Sequence, residues 1–127
     1  MTKNIATTMG VLFIIVGGLG FAVPDLMGRH LSVAHNMIHL ISGALALYFG
    51  LNANPATART FFTVFGAMYA LLGLAGLVGS GPDGMLTVIP DQLMLGVRDH
   101  AVHLIAGAVF LFAGLYRKPI LAGPPLP

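Results

Sequence analysis

Apolar residues fall in four long runs, each closed by a short polar or turn-forming break. About 20 apolar residues cross a bilayer as a helix. The first run spans about residues 5–23 without a charge and ends at Pro24-Asp25. The second covers about residues 32–51, with Ser32 placed to accept a hydrogen bond as N-cap. After the Asn52–Pro55 turn, Asn54 is set to cap a third helix over about residues 55–78, with Pro55 in its first turn, where a missing N–H does no harm. Gly79-Ser80-Gly81-Pro82-Asp83-Gly84 is the strongest breaker in the chain. A short apolar piece, Met85–Ile89, is expected at the membrane surface, followed by a fourth span over about residues 97–116 that Arg117-Lys118-Pro119 stops. The tail, residues 119–127, is too proline-rich for a helix. The first run lacks a small-residue cleavage site and is longer than a signal core, so it is expected to stay in the fold.

The runs repeat in pairs. Gly10, Gly17 and Gly20 in the first have the spacing of Gly66, Gly73 and Gly76 in the third, and His39-Leu40-Ile41-Ser42-Gly43 in the second lines up with His103-Leu104-Ile105-Ala106-Gly107 in the fourth. The pattern predicts an all-α membrane four-helix bundle made of two tandem helical hairpins in parallel repeat, related by an axis along the membrane normal. Glycines at these intervals let helices approach closely where no hydrophobic force drives them together.

Composition agrees. Of 127 residues, 57% are hydrophobic and 8% charged, against roughly a quarter charged in an ordinary globular domain. Mean hydropathy is +0.90. A disordered tail, a disulfide scaffold, a coiled coil and a nucleic-acid binder are excluded. With no Cys there is no thiolate metal site, iron–sulfur cluster or covalently attached haem. With no Glu, a carboxylate-bridged di-metal centre is not expected. Lys3, Arg59, Arg117 and Lys118 fall on one side, without an acid, and Arg29 and Arg98 fall on the other with all four Asp. The basic bias predicts both termini in the cytoplasm of an inner-membrane protein.

All five histidines, His30, His35, His39, His100 and His103, fall on the extracytoplasmic half with Asp99 and Asn36. Intervals of four and three residues put His35 with His39, and His100 with His103, on shared helix faces. His39 and His103 stand at equal depth on parallel helices, roughly 10 Å below the helix starts, with Tyr69 and Ser42 about one turn deeper. Three readings follow. One is a hydrogen-bond network, with Asp99 or Asn36 orienting the imidazoles, in an accessory subunit of a larger membrane complex or a homo-oligomer. Another is a haem or chlorophyll-type tetrapyrrole on His39 and His103, with Gly43 and Gly107 leaving room for a flat ring. The last is a copper or zinc ion held among His35, His39, His100, His103 and Asp99, with thioethers of Met27, Met37 or Met94 available to Cu(I). The other half of the spans has hydroxyls but no acid or base, which argues against a proton relay. Without a nucleophile–base–orienter set, no enzyme is expected.

The motifs His35-Asn36-x2-His39-Leu40-x2-Gly43 and Asp99-x3-His103-Leu104-x2-Gly107, with Ile89-Pro90 and Gly20-Phe21, resemble those of a family of small bacterial four-transmembrane-helix proteins known only as a domain of unknown function. The similarity runs over nearly the whole chain. The family pattern carries Asn or another residue where His100 stands, whereas His39 and His103 match it best. The resemblance implies four membrane helices in a bacterial membrane and no assigned activity, cofactor or substrate.

Overall fold

The computed structural model describes residues 2–23, 25 and 31–116. Expectations for Pro24, Met27, Arg29, His30, Arg117, Lys118 and the 119–127 tail lie outside the described residues.

Four helices are present: α1 (Thr2–Ala22), α2 (Val33–Asn52), α3 (Pro55–Gly79) and α4 (Val97–Leu115). All four are long and apolar enough to cross a membrane, and the chain is a multi-pass membrane protein. The N-caps fall where the polar breaks put them. Ser32 accepts from the His35 N–H at 3.2 Å, and Asn54 accepts from the Thr57 N–H at 3.0 Å. Each supplies an acceptor to a helix start that would otherwise leave its first N–H groups unpaired. Pro55 occupies the first turn of α3.

Burial inverts the pattern of a water-soluble bundle. The buried face of α1 is Ala6, Gly10, Phe13, Gly17 and Gly20, and that of α3 includes Ala58, Phe62, Gly66, Tyr69, Gly73 and Gly76. Val64, Leu71, Leu77, Val78 and Ile105 point outward. Lipid tails are as apolar as leucine, so the interior is chosen for close fit and hydrogen bonding. The alternation of four- and three-residue steps keeps one stripe of each helix on its neighbour, as in shallow left-handed crossings.

The closest packing is α1 on α2 and α3 on α4. A Cβ on Gly17 would stand 2.8 Å from the Asn36 carbonyl and 3.0 Å from Leu40, and a Cβ on Gly73 would stand 2.9 Å from the His100 carbonyl and 2.7 Å from Leu104. Gly10 meets the Gly43 carbonyl and Leu47, while Gly66 meets the Gly107 carbonyl and Leu111. Aromatic rings join the two hairpins. Phe13 of α1 lies 5.3 Å from Tyr69 and 5.8 Å from Phe110, centroid to centroid, and Phe49 of α2 stacks on Phe61 of α3 at 4.2 Å.

Between α3 and α4 the chain forms a small antiparallel hairpin, β1 (Leu86–Ile89) and β2 (Leu93–Leu95). The surface segment expected from Met85 to Ile89 is thus one strand of a pair. Its turn places Pro90 before Asp91, whose φ is +57°, and the Gln92 N–H donates to the Ile89 carbonyl at 3.1 Å. Pro at the first central position and a positive φ at the second is the type II pattern. Leu93 and Leu95 point inward and Met94 outward. The Ser32 hydroxyl donates to the Gln92 carbonyl, tying the hairpin to the start of α2.

Candidate functional site

His35 and His39 lie one turn apart on α2, with ring centroids 4.5 Å apart. The His103 ring of α4 faces His35 at 6.3 Å. His39 and His103 are each the seventh residue of their helix, about 9 Å along it at 1.5 Å per residue. All three rings are buried, and each offers a nitrogen within 4.8 Å of those of the other two. Four tetrahedral ligands 2.0–2.1 Å from a zinc ion stand roughly 3.4 Å apart, so modest ring rotations would close the triad on an ion. Nδ1 of His39 and Nδ1 of His103 are buried without a hydrogen-bond partner. Buried imidazole nitrogens are costly to leave unpaired.

The floor of the site is aromatic. Tyr69 lies 5.4 Å from the His103 ring and donates its hydroxyl to Ser42 Oγ at 3.0 Å, and Phe13 stacks on His39 at 5.5 Å. The depth expected for Tyr69 and Ser42 is where both are found. The roof is Leu93 and Leu95 of the β-hairpin, 5% and 1% exposed. A cavity of about 140 Å³ adjoins the triad. Most of its wall is buried, but Ile38 of α2 and Met68 of α3 are 39% and 57% exposed. Its mouth therefore lies between α2 and α3, toward the lipid, while the leucines close the aqueous end.

His100, Asn36, Met37 and Met94, also named from the sequence, lie elsewhere. The His100 ring packs on Gly76, with Nε2 2.9 Å from Ser80 Oγ, outside the triad. The Ser80 hydroxyl donates to the Gly76 carbonyl, so His100 must donate from Nε2, which leaves its Nδ1 bare. Position along α4 set His100 beside His103, but the three-residue step rotates it onto α3. Asn36 turns to α1, against Gly20, and donates to the Leu31 carbonyl at 3.4 Å, so it does not orient the imidazoles. Asp99 accepts from the Gly96 N–H at 2.7 Å and caps α4. Met37 and Met94 are exposed, and among the described residues it is Met68 that lines the cavity beside the triad, which spacing alone did not mark.

The tetrapyrrole arrangement does not fit. A Cβ on Gly43 would stand 2.7 Å from the Gly10 carbonyl, and one on Gly107 2.5 Å from Ala70 N. The space by these glycines is filled by neighbouring backbones, and the cavity of about 140 Å³ falls well short of the ~300 Å³ at which ordinary ligand pockets begin. Three imidazoles with one side open to a small cavity do suit a transition-metal ion.

No curated protein and no solved structure matches the chain. A family model described as "Domain of unknown function (DUF4383)" matches residues 3–116. The paired helices, the glycine-lined seams and the buried histidines all fall within that match, and the chain belongs to the DUF4383 family.

Proposed function

We propose that the protein binds one copper or zinc ion through His35, His39 and His103, in the extracytoplasmic half of a bacterial inner-membrane bundle whose termini are cytoplasmic. The observation that carries this reading is the convergence of three buried imidazoles from two helices, with two Nδ1 atoms left unpaired. Imidazole is a good ligand for both metals. The fourth position would face the cavity beside Met68, whose thioether favours Cu(I) if it turns inward. The centre is taken as a binding rather than a catalytic one, because Ser42, the serine beside it among the described residues, is buried and engaged by Tyr69. Gly10 and Gly66 have equivalent neighbours in their own hairpins, as do Gly17 and Gly73, which supports a parallel repeat of two hairpins. The repeat would give each half a scaffold for His39 and His103 at one level.

The test is elemental analysis of the full chain, purified in mild detergent through a tag without histidine, after exposure to Cu(I) or Zn(II) and removal of the excess. One ion per chain is expected. His39→Ala and His103→Ala should each lower retention at least about tenfold, since even an outer-shell partner of a metal ligand is worth about that much, and His100→Ala should not. Retention that ignores His39 and His103 would sink the metal reading.

A second reading makes the chain an accessory subunit docked on a larger membrane complex or on its own copies. It is favoured by Gly18 and Ala22, exposed four residues apart on α1, where Gly18 has open space. Small residues at that interval admit another helix. Gly18→Leu should then release a partner from native membranes. A monodisperse monomer that captures nothing would count against docking.

A further inference from the structure

The end of the bundle opposite the histidines holds a cavity of about 450 Å³ between the start of α3 and the end of α4. It is about three times the size of the histidine cavity. Arg59, Thr60 and Thr63 line it with Gly114, Val64 and Leu115. Arg59 is the fifth residue of α3, about 6 Å from the helix start, at the depth where a membrane helix leaves the headgroup region.

Arg59 is half-buried, and its Nε–H donates to the Gly114 carbonyl at 3.3 Å. That contact satisfies one of the last carbonyls of α4 and leaves the two Nη groups of the guanidinium for another acceptor. The sequence provides no carboxylate side chain at this end, since all four Asp lie toward the other one. The hydroxyls of Thr60 and Thr63 donate to the Ala56 and Arg59 carbonyls, so the guanidinium supplies the donors. Gly114 lets the end of α4 close on α3 beside the cavity, because a Cβ there would press on Thr63 Oγ1 and on the α3 backbone. The remaining wall is apolar, with Val64 and Leu115 56% and 62% exposed, and it leads from the charge toward the acyl region.

A half-buried guanidinium above an apolar slot matches a phosphate oxyanion carrying an apolar tail. We propose that this cavity is a phospholipid site, in which Arg59 binds the headgroup phosphate through its Nη groups while the first part of an acyl chain lies along Val64 and Leu115. The site is separate from the histidine triad and stands or falls without it.

Native mass spectrometry of the full chain released from detergent tests the site with three probes: phosphatidylglycerol, diacylglycerol with the same chains, and inorganic phosphate. A single phosphatidylglycerol adduct is expected, with no comparable adduct of diacylglycerol or of millimolar inorganic phosphate. Arg59→Gln should lower adduct occupancy about tenfold, Arg59→Lys less, since a lysine keeps the charge but not the planar fork, and Lys3→Gln not at all. Because Arg59 also caps α4, Val64→Trp is the companion variant: it fills the slot, leaves the guanidinium in place and should also remove the adduct. An adduct unchanged in both Arg59→Gln and Val64→Trp would overturn the proposal. So would diacylglycerol binding as well as phosphatidylglycerol, or Arg59-dependent binding of inorganic phosphate alone.

Discussion

Gly76 stands against the His100 ring, and Gly20 stands against the Asn36 carboxamide. At each place a polar side chain fills the room that a missing Cβ leaves. Gly76→Ala is expected to push the His100 ring off its Ser80 contact and to cost about 1–3 kcal/mol, the usual range for overpacking. Gly18 has nothing within 4 Å of a built Cβ, so Gly18→Ala should be neutral or stabilise by up to about 1 kcal/mol through helix propensity. Thermal unfolding of both variants in one detergent checks the contrast, and equal effects would refute it. Tyr69→Phe removes the hydroxyl donated to Ser42 and should cost on the order of 1 kcal/mol. Much of this was legible in the sequence, because glycine spacing is a local property. The direction of the His100 ring and of the Asn36 carboxamide was not, since a three-residue step on a helix serves either of two neighbours.

The β-hairpin has the most specific job of any single element. Its inward leucines close the aqueous end of the triad, and the Ser32–Gln92 hydrogen bond holds the closure to α2. Leu95, 1% exposed, is central to that roof. Leu95→Ala should cost about 2–5 kcal/mol if the cavity stays open, and it should admit water to the imidazoles. Faster exchange of bound metal with an aqueous chelator would report the opening, and an unchanged exchange rate would show that the roof does not gate access. Helix limits could be read from caps and apolar runs, but this hairpin could not. Each of its strands has four residues or fewer, too short for an alternation to stand out, and an isolated hairpin is only marginally stable without packing beneath it. The bundle supplies that packing.

Across the whole molecule, two closely packed hairpins meet through rings, with Phe13 against Tyr69 and Phe110 and Phe49 against Phe61. Helices inserted separately can associate afterwards in a bilayer. Chains split in the Asn52–Asn54 turn and co-expressed should therefore copurify. Phe110→Ala, which empties a fully buried position, should weaken that association by about 3–5 kcal/mol. Halves that fail to copurify, or a Phe110→Ala pair that copurifies as well as the parent, would show that the rings do not hold the hairpins together.

The sequence by itself determined the four crossings, the caps of α2 and α3 and the level of His39 and His103, because length, hydropathy and helical rise are set along one chain. It also marked Tyr69 and Ser42 as the layer beneath. Only the tertiary structure decided that His35 joins the triad while His100 and Asn36 leave it, that Gly43 and Gly107 are filled by backbone, and that Met68 borders the site. The reason is rotational: linear spacing gives the height of a side chain, whereas the neighbour it meets depends on how each helix is turned against the others.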